Sequence, residues 1–166
     1  MARKAFYSFH FDKDVWRAGT VRSMGVIEGN VVATGNQWEE VREKTDPKIQ
    51  AWIDSQMAGK SVAIILAGSS TAGRKWINYE IEKAWNSGKG VVAVHVHGLL
   101  NNAAPPAQGS KGGNPLYYVS VEGKRLSTIA KCYDTPYSSS KYVYGHIKEN
   151  LGDWIEEAIL IRNSHV

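Results

Sequence analysis

Trp76 and Glu80 are the residues whose types and spacing suggest chemistry. They lie four apart in the stretch RKWINYE, residues 74–80, which the pattern predicts to be the first turns of a helix. Residues four apart share one face of a helix, so the indole and the carboxylate would be neighbours. The spacing leaves two interpretations open. Glu80 is either a solvated carboxylate paired with Lys75 or Lys83, or the centre of a nucleotide-cleaving site.

A parallel α/β sheet is the architecture that would position this pair. The apolar run SVAIILAG, residues 61–68, predicts a strand that is covered on both faces, and the Trp76 helix follows it directly. Glu80 would then lie near the carboxyl ends of the strands, where open parallel sheets bind ligands. The other predicted elements are a strand at 4–11, a helix from about Asp14 to Met24, a helix capped by Asp46 and ended by Gly59, a strand at 91–98, possible edge strands at 116–124 and 130–134, and a helix at about 140–161.

Two glycine-rich stretches interrupt this pattern, and together the elements predict a single domain over residues 1–166. Residues 25–36 read GVIEGNVVATGN and predict a loop with a short extended piece at Val31 and Val32. Residues 99–116 form a Pro/Gly-rich loop, which in a compact domain is often functional or mobile.

Several other motifs are incomplete. AGKS at 58–61 lacks the first glycine of a phosphate loop, and no Gly-x-Gly-x-x-Gly follows the first strand. AGSSTAG at 67–73 carries alanine where a nucleophile elbow needs glycine, so we expect residues 69–71 to cap and start the helix. His95 and His97 share one side of a strand but lack a third ligand, so we predict no metal site.

Composition narrows the class of protein. The chain has 166 residues, 43% of them apolar, and its net charge of +4 permits an anionic ligand. It carries no dense Lys/Arg stripe, so we predict no nucleic-acid partner. It has no apolar run of about 18 residues and no secretory leader pattern, which predicts no membrane association. The single Cys132 suits a reducing compartment, and we predict a cytoplasmic protein.

Three segments together resemble the TIR-like family, in particular the TIR subunits of Thoeris antiphage defence systems. They are AFYSFHF at 5–11, LAGSSTAGRKWINYEIEKAW at 66–85 and KGGNP at 111–115. The resemblance covers most of residues 4–100 and extends more loosely to the end of the chain. It implies a flavodoxin-like, TIR-like three-layer α/β sandwich with a central, mainly parallel sheet.

The resemblance also implies an activity and its residues. Members cleave the nicotinamide–ribose bond of NAD, and the glutamate of their W-x-x-x-E pattern is catalytic. That role falls on Glu80, with Trp76 as its partner, while Phe9, His10 and Phe11 would line the nucleotide pocket. NAD would be the substrate, and no cofactor is expected.

One carboxylate suffices for this chemistry because the leaving nicotinamide departs as a neutral molecule and needs no proton. An ionised Glu80 could stabilise the positive charge that develops on the ribose. The family resemblance further implies a cyclic ADP-ribose-type signal, a homo-oligomer as the active form and a downstream effector protein. The alternatives are a non-catalytic TIR-like interaction module and a nucleotide-binding domain without turnover.

Overall fold

The structure, a computed structural model, describes residues 3–26, 28–29, 41 and 43–165. The extended piece predicted at Val31 and Val32 lies outside the described residues. The described helices and strands, in chain order, are β1 (Lys4–Phe9), α1 (Phe11–Ser23), β2 (Glu28–Gly29), α2 (Asp46–Met57), β3 (Val62–Ala67), α3 (Lys75–Asn86), β4 (Gly90–His95), β5 (Ser120–Val121), β6 (Lys124–Arg125), β7 (Cys132–Tyr133) and α4 (Ser140–Asn163), with 3₁₀ turns at Pro115–Tyr118 and Leu126–Thr128.

The main sheet has five strands in the order β2-β1-β3-β4-β7, and each neighbouring pair is parallel. Every residue of β3 is buried, as its apolar run predicts. Side chains alternate between two cores, because successive residues of a strand point to opposite faces. One core packs α1 and α4 on the sheet and the other packs α2 and α3 on it. The predicted three-layer α/β sandwich with a parallel sheet is therefore confirmed.

Several element boundaries differ from the sequence-based expectation. α1 begins at Phe11 and not near Asp14, because the His10 ring caps it: its Nδ1 accepts a hydrogen bond from the Lys13 amide at 3.3 Å. In α2 the cap position belongs to Thr45, and Asp46 lies in the first turn.

The edge strand predicted at 116–124 is replaced by other structure. Pro115 begins a 3₁₀ turn, and β5 and β6 pair only with each other, as an antiparallel hairpin. The second predicted edge strand is present as β7, which extends the main sheet beside β4.

The connection between β3 and α3 is a tight turn that is packed from both sides. Thr71 is fully buried, and its hydroxyl accepts a hydrogen bond from the Gly68 amide at 2.9 Å. α3 starts only at Lys75, with Arg74 at its cap position. The expectation that residues 69–71 cap the helix was therefore wrong, since the turn uses Thr71 internally.

None of the helices in the described ranges is both long enough and apolar enough to cross a membrane.

Candidate active site

The predicted site residues lie around one cavity of about 340 Å³. All five of them, Phe9, His10, Phe11, Trp76 and Glu80, line it. The cavity is also lined by Asp12, Arg74, Lys75 and Ile77, which the sequence analysis did not assign to a site. The structure thus brings the two distant segments together, while the role of each residue stays a prediction.

The strand order explains why a cavity forms here. β1 and β3 are neighbours, and the chain leaves β1 into α1 on one face and reaches α3 on the other face after β3. Such a divergence opens a crevice beyond the carboxyl ends of the strands, which is where doubly wound sheets bind ligands. The cavity lies in this crevice, between residues 9–12 and the first two turns of α3.

Glu80 is a buried carboxylate and not a surface residue. Only 8% of it is exposed. The lysines that could have paired with it are engaged elsewhere: Lys75 bonds Asp46, and the Lys83 ammonium lies 3.9 Å from Asp54. The interpretation of Glu80 as a solvated partner of these lysines is therefore wrong.

Burial controls the protonation of Glu80. It raises the pKa of the carboxyl from its ordinary 4.5 to about 8, and the neighbouring Ser8 hydroxyl offsets part of the rise. Yet neither Ser8 Oγ nor Glu80 Oε2 reaches hydrogen-bond geometry with any partner among the described residues. Desolvation therefore favours the protonated form of Glu80 at neutral pH in the ligand-free protein.

His10 is a neutral ring at the edge of the cavity. It is 7% exposed, and its pKa is lowered chiefly by burial and then by the Arg74 charge, against the opposing effect of Asp14 and Asp12. Since Nδ1 accepts the Lys13 amide hydrogen bond, the ring proton of the neutral form resides on Nε2. His10 can therefore donate a hydrogen bond without carrying charge.

Aromatic rings form much of the cavity wall. The Phe9 and Phe11 rings stack with centroids 6.5 Å apart. Trp76 packs edge-to-face on Tyr79 at 5.8 Å, and the Tyr79 hydroxyl donates to Asp54 at 2.8 Å. These contacts hold flat apolar surfaces beside Glu80, where they can receive a heterocyclic base.

Charge is distributed unevenly around the opening. Arg74 and Lys75, at the start of α3, are exposed cations, while Asp12 lies across from them at the start of α1. A cationic rim at the start of a helix suits an anionic group such as a diphosphate. The basic pair in RKWINYE was visible in the sequence, but only the packing of α3 beside α1 indicates that it faces the same cavity.

Ser8 is a further residue that the sequence analysis missed. It lies two residues after Phe6 on the same face of β1, which is the face that α3 covers. Period-two alternation along β1 could have placed it beneath the Trp76–Glu80 helix.

His95, at the end of β4, and His97, just past it, lie beside each other. The His95 and His97 rings contact each other edge-to-face with centroids 5.8 Å apart. Across the described part of the chain, no cluster of three or more His, Cys, Asp or Glu side chains is arranged to hold a metal ion.

The fold and the cavity define a TIR-like α/β domain, and comparison with known proteins identifies the family. The sequence model of the family described as "Thoeris protein ThsB, TIR-like domain" matches residues 6–101, more than half of the chain. This range runs from β1 to just past β4 and contains every predicted site residue. The chain belongs to this family.

A named relative supports the same assignment. The protein "Putative cyclic ADP-D-ribose synthase ThsB1" of Bacillus cereus (strain MSX-D12) is 32% identical over 135 residues. The aligned region covers 76% of this chain and 69% of the relative.

Proposed function

We propose that this protein cleaves the nicotinamide–ribose bond of NAD and produces a cyclic ADP-ribose-type signal in antiphage defence. The single observation that carries the proposal is the buried Glu80 carboxyl, whose Oε2 has no described partner, at the wall of a cavity lined by aromatic rings and cations. The family assignment and the printed name of the relative support the same chemistry.

The reaction breaks the bond between the anomeric carbon and the pyridinium nitrogen. The bonding electron pair leaves with the nitrogen, so nicotinamide departs neutral and the positive charge passes to the ribose. A carboxylate beside the anomeric carbon stabilises that charge in the transition state. No proton donor is needed, in contrast to ordinary glycoside hydrolysis with its two carboxyl groups.

The raised pKa of Glu80 becomes part of this mechanism. The ligand-free carboxyl, with a pKa of about 8, is mostly protonated at neutral pH. The pyridinium cation of bound NAD lies beside it and favours its ionised form, because an opposite charge lowers a carboxyl pKa. Substrate binding thereby expels one proton to solvent, and kcat/KM rises with pH through about 8 in the free enzyme.

The remaining lining residues would bind and orient the dinucleotide. Arg74 can hold the diphosphate, and Lys75 can join it by leaving its exposed ion pair with Asp46. His10 can donate through Nε2, and the Phe9–Phe11 pair offers a surface for a base. The fate of the ribosyl cation then depends on what attacks it, since water gives ADP-ribose and an atom of the same molecule gives a cyclic product.

Cyclisation is favoured where water is excluded and the internal nucleophile is held close. Well-oriented intramolecular reactions reach effective molarities of about 10⁵ M or more, far above the concentration of water. The proposal includes assembly into a homo-oligomer that closes the cavity, and a separate effector protein that receives the signal. Both are parts of the proposal that the resemblance to Thoeris TIR subunits suggests.

Nicotinamide release by wild type and Glu80→Gln tests the proposal. The substitution keeps the size of the side chain and removes its charge, so we expect release to fall at least 100-fold. Glu82→Gln, two residues along the same helix and exposed, is the matched control and keeps wild-type activity. Mass spectrometry of the products separates the cyclic molecule from ADP-ribose by one water.

Equal release by wild type and Glu80→Gln would reject the assignment of Glu80. If NAD raises the melting temperature of the protein but is never cleaved, the chain is a nucleotide-binding module and the enzymatic proposal is wrong.

A further inference from the structure

Ser8 is a polar residue in an otherwise apolar part of β1. It is 2% exposed, and it lies on the face of the strand that also presents Phe6 to the core under α3. An apolar residue at this position would avoid the cost of burying a hydroxyl, which is about 1–3 kcal/mol when the group lacks a partner. The hydroxyl therefore calls for an explanation.

The partner that Ser8 faces is Glu80. Ser8 Oγ and Glu80 Oε2 are both buried and both lack a hydrogen bond within the described ranges. The hydroxyl still favours the ionised form of the carboxyl. Two neighbouring polar groups are thus left unsatisfied in the ligand-free protein, and ionisation of one would create a strong acceptor for the other.

No other described side chain around Glu80 favours its ionised form as Ser8 does. Charged and titratable side chains face the cavity from α1 and from α3, but burial and Ser8 are the only described causes of the Glu80 pKa shift. The groups concerned are His10, Asp12, Arg74 and Lys75. Farther along α3, Lys83 pairs with Asp54 on α2.

We propose that Ser8 is the positioning residue for Glu80. When bound substrate favours the charged form of Glu80, the Ser8 hydroxyl donates a hydrogen bond to one carboxylate oxygen. This bond directs the other carboxylate oxygen at the ribose. Ser8 does not line the cavity and acts through Glu80. This inference rests on the proposed function for its catalytic consequence. The Ser8–Glu80 coupling itself can be measured without turnover.

The kinetic test uses Ser8→Ala, with Ser8→Thr as the variant that restores a hydroxyl. Without the donor, the charged form of Glu80 is disfavoured, so the rise of kcat/KM with pH moves upward by about one pH unit and activity at pH 7 falls roughly tenfold. Ser8→Thr returns the profile toward that of wild type. An unshifted profile in Ser8→Ala overturns the inference, as does a loss equally large at every pH.

A second test needs no activity. The melting temperatures of wild type and Glu80→Gln are compared from pH 5 to pH 10, and the same comparison is made in the Ser8→Ala background. We expect the difference in melting temperature to grow with pH and then level off. Without Ser8 it should level off at a higher pH, because the folded carboxyl then holds its proton more tightly. Identical curves in both backgrounds overturn the inference even if no variant cleaves NAD. A shifted curve without cleavage supports the coupling and rejects only the enzymatic proposal.

Discussion

Glu80 is buried, and its proposed role requires charge, which burial opposes. Burial keeps it protonated near neutral pH, with a pKa of about 8, although the Ser8 hydroxyl offsets part of the rise. The same burial makes the charged form effective, because an ion in a water-poor cavity acts on a nearby cation with little screening. The pyridinium of bound NAD would supply a positive charge that favours the ionised form of Glu80.

Stability should depend on pH through this carboxyl. Its folded pKa is raised above 4.5, so its contribution is fully present below pH 4.5 and is lost as the pH rises toward about 8. Glu80→Gln does not titrate and escapes this loss. We expect the variant to match wild type near pH 4.5 and to exceed it at pH 8 by at most about 5 kcal/mol.

Thermal melts of both proteins across this range check the prediction. A gap in melting temperature should open with rising pH, at roughly 2–4 °C per kcal/mol. A gap that stays constant from pH 5 to pH 8 would contradict the burial of an uncompensated carboxyl at position 80.

At the scale of elements, the cavity depends on how the β3–α3 connection is held. Gly68 lies between the Asp14 carboxylate and the backbone of Gly112, where an added Cβ would meet Asp14 Oδ2 at 2.1 Å. Asp14 in turn forms a buried ion pair with Arg17 at 2.9 Å. Arg17 Nε donates to the Leu99 carbonyl at 2.8 Å, so α1, the loop from residue 99 and the β3–α3 connection at Gly68 are packed together.

Gly112→Ala should disturb this unit. Its Cβ would lie 2.3 Å from the Gly68 carbonyl oxygen, a backbone atom that cannot rotate away. We expect a loss of about 1–3 kcal/mol in stability, measured by denaturant unfolding, and weaker NAD cleavage as α3 shifts.

The adjacent Gly113 provides the control for this prediction. A Cβ there would lie 3.6 Å from the Ala72 methyl, an ordinary contact, so Gly113→Ala should remain close to wild type. Equal behaviour of the two variants would mean that the loop does not brace the connection.

Sequence patterns were sufficient to predict the elements with strong periodicity or continuous apolar runs. β3 and α3 fall where predicted, while β4 ends at His95, three residues before its predicted end. α4 spans Ser140–Asn163 despite its two glycines because its apolar stripe packs on the sheet. The start of α1 was missed because a histidine caps it, which propensity does not anticipate. The hairpin of β5 and β6 was missed because its strands have two residues each and are too short to show an alternating apolar and polar pattern.

For the site, spacing alone gave the Trp76–Glu80 pair but not its environment. Burial of Glu80 depends on β1 lying beneath α3, a contact between residues 72 positions apart that no local pattern reports. The family resemblance supplied Phe9, His10 and Phe11. Arg74 needed the three-dimensional arrangement, whereas alternation along β1 already puts Ser8 on the same face as Phe6.

At the scale of the whole molecule, the cavity lies where the neighbouring strands β1 and β3 lead to helices on opposite faces of the sheet. Its volume of about 340 Å³ lies at the small end of the range for ligand sites, about 300–1,000 Å³. NAD, the proposed substrate, is a large ligand, so part of it would extend past the rim formed by Arg74 and Asp12. A second copy of the chain could cover that part, as the proposed homo-oligomer requires.

Assembly predicts that activity depends on protein concentration. The rate of nicotinamide release per protomer should rise with concentration and level off once the oligomer is populated, as followed by light scattering in parallel. A constant rate per protomer over a range in which the protein stays monomeric would show that one chain forms a complete site.

The most direct test of the central claim is single-turnover cleavage with protein in excess over NAD, across pH 6–9. For wild type at protein concentrations below saturation, where the rate reports the free enzyme, we expect one nicotinamide per NAD with a rate that rises with pH through about 8. Glu80→Gln releases none on the same timescale. Cleavage by Glu80→Gln at the wild-type rate would contradict the claim that this buried carboxylate carries the reaction.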